Sequence, residues 1–161
     1  MWNLTPTFRA LGRRRRPDLG PLRAVPALRD ADPRLLAELA PHADRLRLPP
    51  GRILARGGHT ARELIVIVSG QAALLSEDGR TGIVSAGAQI GGDEVVGRCP
   101  HPATVVALTD VEVVAITAPA VLWANREGLL PVSQAREEVE PCIPTSWERS
   151  LRPVAATSNA R

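Results

Sequence analysis

Apolar and polar positions follow a helical period in one early segment of the chain. Leu35, Leu36 and Leu39 share one face of a helix, and Ala40 extends that face. The aspartate–proline pair just before them suits a helix start, because aspartate caps free N–H groups and proline fits the first helical position. The pattern therefore predicts a leading helix over residues 33–40 that packs on the rest of the fold.

From residue 45 the period changes to two, as in a half-buried β-strand. Short β-branched or apolar runs then recur at intervals of about 7–12 residues, separated by turns rich in glycine and proline. Glu77–Arg80 has the composition of a hairpin turn. This pattern predicts an antiparallel barrel, roll or sandwich. The predicted strands are 45–48, 52–55, 63–68, 71–76, 81–85, 103–108 and 111–117.

Two trailing helices are predicted after the strands. The first begins at Ala118–Pro119 and ends at Gly128, and the second runs from Pro131 to Glu140. Residues 141–161 are mostly polar and are predicted to form a loose C-terminal tail. The folded domain is therefore placed at residues 21–140.

Composition adds a basic arm at the N-terminus. All 20 basic residues are arginine, so a single arginine is weak evidence of function. Residues 1–20 are rich in arginine and proline and predict a flexible arm. Four consecutive basic residues in this arm are candidates for contact with an acidic partner, with a solvated tail as the alternative. They are Arg13, Arg14, Arg15 and Arg16.

The sequence also makes a prediction about location. No apolar run approaches the ~18 residues of a membrane span, and the N-terminus has no apolar leader segment. Cys99 and Cys142 lack metal-binding or redox spacing and are interpreted as free thiols, which suits a reducing compartment. A cytoplasmic protein without a transmembrane segment is therefore expected.

The order of elements, together with four sequence segments of which three contain a turn glycine, resembles the cyclic nucleotide-binding domain. That domain is the β-roll shared by the catabolite activator (cyclic-AMP receptor) proteins and the regulatory subunits of some kinases and channels. The likeness implies a mainly β fold: an antiparallel, jelly-roll-like β-roll of about eight strands with a leading helix and two trailing helices. The segments that carry it are 48–54, 63–70, 78–80 and 103–108.

In that family the insert before the last strand pair is a phosphate-binding cassette. It reads Phe-Gly-Glu, then apolar residues, then Arg-Ser/Thr-Ala, where the glutamate binds the ribose hydroxyl and the arginine pairs with the cyclic phosphate. The matching register here keeps Gly91 but places Gly92 at the glutamate, His101 at the arginine and Pro102 at the serine or threonine. The candidate ligand-binding residues are Gly91, Gly92, Asp93, Glu94, Arg98, His101, Pro102, Ala103 and Thr104.

The replaced residues predict weak or lost affinity for cyclic AMP and cyclic GMP. Losing two charge-assisted hydrogen bonds, each worth roughly 1.5–3 kcal/mol, weakens binding by about two to four powers of ten. Asp93 and Glu94 could contact ribose only in a shifted register, and they alternatively complement a helix N-terminus. Arg98 is a substitute cation from another point of the loop, and His101 is alternatively an ordinary loop residue.

The resemblance implies a non-enzymatic sensory or regulatory module, without catalytic residues or a cofactor. The alternative is a ligand-independent protein-interaction module, and either one implies a protein partner or a larger signalling assembly. A DNA-binding domain is not expected, because the chain ends about 20 residues after Pro141. A cupin-type metalloprotein is the least favoured class, and no metal site is predicted, because His42, His59 and His101 are scattered along the chain.

Overall fold

Two antiparallel β-sheets form the fold, in a computed structural model that describes residues 18–130 and 151–152. The four helices are α1 (Gly20–Arg23), α2 (Pro33–Leu39), α3 (Gly92–Gly97) and α4 (Ala118–Arg126), with 3-10 turns at Pro26–Leu28 and Ala40–His42. The strands are β1 (Ala43–Leu48), β2 (Ile53–Ala55), β3 (Glu63–Ser69), β4 (Gln71–Ser76), β5 (Thr81–Ser85), β6 (Gln89–Ile90), β7 (Ala103–Ala107), β8 (Val111–Thr117) and β9 (Leu151–Arg152).

The strand order confirms the predicted β-roll. The first sheet has the order β1-β8-β3-β6 and the second has the order β2-β7-β4-β5-β9. The strands of each sheet come from distant parts of the chain, as in β3, which pairs with β8 across more than 40 residues. This arrangement places α3 between β6 of the first sheet and β7 of the second.

The first sheet is covered on both faces. Along β3, Leu64 and Val66 belong to a core shared with the helices, whereas Ile65 and Ile67 belong to a core shared with the second sheet. Successive side chains of a strand point to opposite faces, so an unbroken apolar run buries both. The second sheet, by contrast, leaves its outer face to solvent, where Ile83 is 60% exposed.

Several local predictions are confirmed. The Asp32 side chain accepts a hydrogen bond of 2.8 Å from the backbone N–H of Arg34, as expected of a helix cap. The predicted hairpin turn closes with a hydrogen bond of 2.9 Å from the N–H of Ser76 to the carbonyl oxygen of Arg80. The first trailing helix is α4, which begins at Ala118 and ends at Arg126.

Other segments differ from the prediction. α1 and the following 3-10 turn lie in a stretch of weak periodicity, yet Leu22, Val25 and Leu28 are fully buried in the helix-side core. β1 confirms the strand predicted over residues 45–48, but it is less buried than predicted, because four of its six positions are exposed. The tail contributes β9, which pairs with β5. The arginine arm and the second trailing helix lie outside the described residues.

Candidate functional site

The predicted cassette is built around α3, a short helix that follows β6. Gly91 is its N-cap residue, with a φ of 89°. A Cβ atom at this position would overlap the carbonyl oxygen of Glu63 and lie 3.2 Å from Cε1 of His101. Glycine is therefore required both for the left-handed backbone and for the close approach of β3.

Two predicted site residues, Glu94 and His101, meet in the protein interior. Glu94 is 1% exposed and His101 is 9% exposed. Oε1 of Glu94 lies 4.0 Å from Nδ1 of His101, and neither atom has a hydrogen-bond partner. A separation of 4.0 Å is too long for a direct hydrogen bond. The pair therefore contains a carboxyl oxygen and a titratable ring nitrogen that have no hydrogen-bond partner in the protein.

Burial shifts the pKa values of this pair in opposite directions. Desolvation raises the pKa of Glu94 to about 7, helped by the charge of Asp93 and opposed by the nearby backbone N–H groups of Glu94 and Gly91. Desolvation also lowers the pKa of His101, and the neighbouring His59 adds to this effect. Both shifts favour the uncharged forms of the two side chains, so His101, the residue predicted at the arginine position, provides no permanent positive charge.

The loop that leads into β7 uses its own polar groups internally. The N–H of His101 donates to the carbonyl oxygen of His59, and the carbonyl oxygen of His101 accepts from the N–H of Gly58, both at 2.9 Å. The hydroxyl of Thr104 accepts from the N–H of Gly57 at 3.0 Å. Ala103 is buried and Pro102 half-buried. These contacts bring His59 close to His101, although the sequence places the two histidines far apart.

Arg98 lies at the opposite end of α3 from the Glu94–His101 pair. It is the C-cap residue, its side chain is exposed, and its N–H lies in the turn that ends the helix. The predicted substitute cation is therefore at the helix C-terminus, whereas anions are stabilised at the N-terminus. Asp93 lies in the first turn and Gly92 opens the helix.

The backbone of Arg98 leads to a stability prediction. With a φ of 54°, it is the one non-glycine residue of positive φ in the described part of the chain. This conformation costs a side-chain-bearing residue about 1–2 kcal/mol and costs glycine almost nothing. We expect Arg98→Gly to raise the free energy of unfolding by up to about 1 kcal/mol, as measured by urea denaturation. A loss of stability would show that the arginine side chain makes a stabilising contact.

The structure also identifies neighbours that the sequence did not indicate. Glu63 approaches Gly91 through its carbonyl oxygen, because β3 and β6 are adjacent in the first sheet. His59 contacts the His101 backbone because Thr60 and Pro100 form a β-bridge. No local pattern marks either residue, since both contacts depend on strand pairing across the sheet.

Cys99, in the same loop, corrects a prediction. The residue is disulfide-bonded, so its interpretation as a free thiol is wrong. Disulfides are typical of oxidising compartments, and the cysteines therefore give no support to a cytoplasmic location, which stays a prediction.

Within residues 18–130 and 151–152, no helix has the length and apolar character needed to cross a membrane. In the same ranges, no three His, Cys, Asp or Glu side chains are grouped as metal ligands.

Comparisons with known proteins agree with this architecture. Residues 45–124 match the family model of the cyclic nucleotide-binding domain. Among solved structures, a putative cyclic nucleotide-binding protein from Geobacter metallireducens is 20% identical, with a TM-score of 0.58 over 68% of this chain and 86% of that one. A regulatory subunit of a cAMP-independent protein kinase A from Trypanosoma brucei is 22% identical, with a TM-score of 0.54 over 69% of this chain.

A third similar structure is a cAMP-binding acyltransferase from Mycobacterium smegmatis. It is 27% identical, with a TM-score of 0.55 over 63% of this chain and 33% of that one. The chain likewise spans less than half of the trypanosome subunit, 46% of its length. No protein in the curated set matches the sequence.

Proposed function

Because residues 45–124 belong to the cyclic nucleotide-binding domain family, we propose that this chain is a non-enzymatic regulatory module with little or no affinity for cyclic AMP or cyclic GMP. The observation that carries the proposal is the buried Glu94–His101 pair. A cyclic phosphate is an anion, and it needs a fixed cation or several free N–H donors. At the matching position this chain offers a neutral imidazole and, beside it, a carboxyl group.

The surroundings of the pair support the same proposal. Gly92 has no side chain to accept a hydrogen bond from a ribose hydroxyl, and Pro102 has no N–H to donate. The backbone groups of His101 and the hydroxyl of Thr104 are occupied by contacts within the protein. The backbone form of the cassette is thus kept, while the groups that would bind a nucleotide are replaced by other residues or already form hydrogen bonds within the protein.

We also propose that the module acts through a protein partner in a signalling assembly. One similar structure is the regulatory subunit of a protein kinase. By analogy, the proposed module binds and regulates a protein partner. Arg13, Arg14, Arg15 and Arg16 are proposed to contact an acidic surface of such a partner.

The alternative, a ligand-independent interaction module, is favoured by one surface. Ile53, Leu75 and Ile83 are 47%, 44% and 60% exposed. The pairing of β2, β7, β4 and β5 puts them on the outer face of the second sheet, because directly opposed residues share a face. Apolar side chains grouped on one face are typical of surfaces that other proteins cover.

Isothermal titration calorimetry with cyclic AMP and cyclic GMP tests the proposed affinity. We expect no heat of binding at micromolar protein and ligand concentrations, because the arginine contact is missing. A thermal melt with millimolar nucleotide measures any residual affinity, since a ligand of the folded state raises Tm by mass action. A dissociation constant in the micromolar range would contradict the proposal, and a flat response to every nucleotide would favour the ligand-independent alternative.

A further inference from the structure

The Glu94–His101 pair is buried, and one polar atom of each side chain lacks a hydrogen-bond partner. Oε1 of Glu94 and Nδ1 of His101 face each other at 4.0 Å, and both are buried without a hydrogen-bond partner. Polar atoms buried in this way are costly, and a charge on one of them is costlier still. The gain or loss of one proton here therefore changes the energy of the site more than it would at an exposed position.

The described residues around the pair do not supply a fixed countercharge. α3 packs against α4 and β3. Asp93 on α3 carries a charge of the same sign as an ionised Glu94, and His59 precedes β3. The charged side chains on the packed elements are Glu63 on β3, which has the same sign of charge as an ionised Glu94, and Arg126 on α4, which is exposed to solvent and therefore screened.

We propose that the Glu94–His101 pair is a proton-operated switch, in which the loss of one proton loosens α3 from α4. The inference rests on the proposed regulatory function and adds its signal: the site responds to protons. It identifies α3 as the moving element and α4 as the element that receives the change.

The geometry connects the pair to the helix layer. Glu94 is followed directly by Val95, which is 5% exposed and belongs to the helix-side core with Val121 and Ala124 of α4. In mildly acidic solution the carboxyl group of Glu94 is protonated and uncharged. Above neutral pH the carboxylate can regain solvation only if water enters or if α3 moves outward. Either event disturbs the packing of α3 on α4.

The sign of the pH effect follows from the raised pKa of Glu94. Its pKa rises from 4.5 to about 7 in the folded protein. The neutral carboxyl group therefore contributes its full stability below pH 4.5, and this contribution is lost as the pH rises to about 7. His101 has the opposite trend, because its lowered pKa makes protonation costly as the pH falls.

Thermal melts of the full chain between pH 5 and pH 8.5 test the switch, with Glu94→Gln as the variant. Glutamine keeps the size and polarity of the side chain but cannot ionise. We expect the Tm of the wild type to fall relative to the variant by roughly 5 °C between these limits. The control is Glu38→Gln, which removes an acid from an exposed position on α2 and should follow the wild-type profile.

Hydrogen exchange separates a moving helix from a uniform loss of stability. After correction for intrinsic rates, the amides of α3 should exchange at least about tenfold faster at pH 8.5 than at pH 5 in the wild type and not in Glu94→Gln. Parallel melting profiles, or equal protection of α3 at both pH values, would overturn the switch. Tight binding of a cyclic nucleotide would refute the proposed loss of affinity. It would not change the melting and exchange profiles measured without nucleotide, so failure of the proposed function can be distinguished from failure of the switch.

Discussion

Changing His101 to arginine and Glu94 to alanine together is expected to strengthen cyclic AMP binding by about one to two powers of ten. Arginine restores a planar, permanently charged donor for the phosphate. The single variant His101→Arg should gain little, because Oε1 of Glu94 lies 4.0 Å from the ring nitrogen that the guanidinium replaces. The internal carboxylate would then occupy the arginine in place of the phosphate.

Calorimetry on the wild type, the two single variants and the double variant measures this coupling. Adenosine is the matched control ligand, because it lacks the phosphate and should gain nothing from the new arginine. A thermal melt of each protein shows whether the substitutions preserve the fold. If His101→Arg alone gained as much as the double variant, Glu94 would not be the group that blocks an anion.

The second large effect is expected at Gly91. Gly91→Ala forces a Cβ atom into the left-handed region and against the carbonyl oxygen of Glu63. The conformation alone costs about 1–2 kcal/mol, and the overlap adds a shift of β3 or α3. We expect the free energy of unfolding to fall by about 3 kcal/mol or more, which chemical denaturation measures.

Gly51 provides the control for this substitution. Its φ is 83°, close to that of Gly91, but a Cβ atom there would meet nothing within 4 Å. Gly51→Ala should therefore lose only the conformational part, about 1–2 kcal/mol. Equal losses at the two positions would show that the contact between Gly91 and β3 adds no stability.

Periodicity predicted the roll well because its strands carry unbroken local patterns. β3 and β4 both contain an apolar run bounded by polar or turn residues, so each is recognisable without its partner. α1 was missed because it has four residues and takes its stability from burying Leu22. β6 and β9 have two residues each, and such short strands exist only through pairing with β3 and β5.

The sequence predicts Gly91 and His101 in one candidate site, and the structure places Cε1 of His101 3.2 Å from the position of a Cβ atom at Gly91. The roles of these residues in binding stay a prediction. The burial of Glu94 was not foreseen, because an acid pair at a helix start usually faces water. The alternative prediction, that Asp93 and Glu94 complement the helix N-terminus, is supported in part. A hydrogen bond from the backbone N–H of Gly91 to the Glu94 carboxyl group favours its charged form and lowers its pKa. The disulfide at Cys99 leaves no trace in local sequence.

The central position of β8 governs the order in which the protein can assemble during synthesis. β1 has its pairing partner in β8, and β3 depends on the same strand along nearly its whole length. A ribosome that has released Glu63–Ser69 must still make Val111–Thr117 before these strands have their neighbour. The nascent first sheet therefore stays incomplete until most of the domain has emerged, and the apolar run of β3 is the segment that a chaperone would have to protect in the meantime.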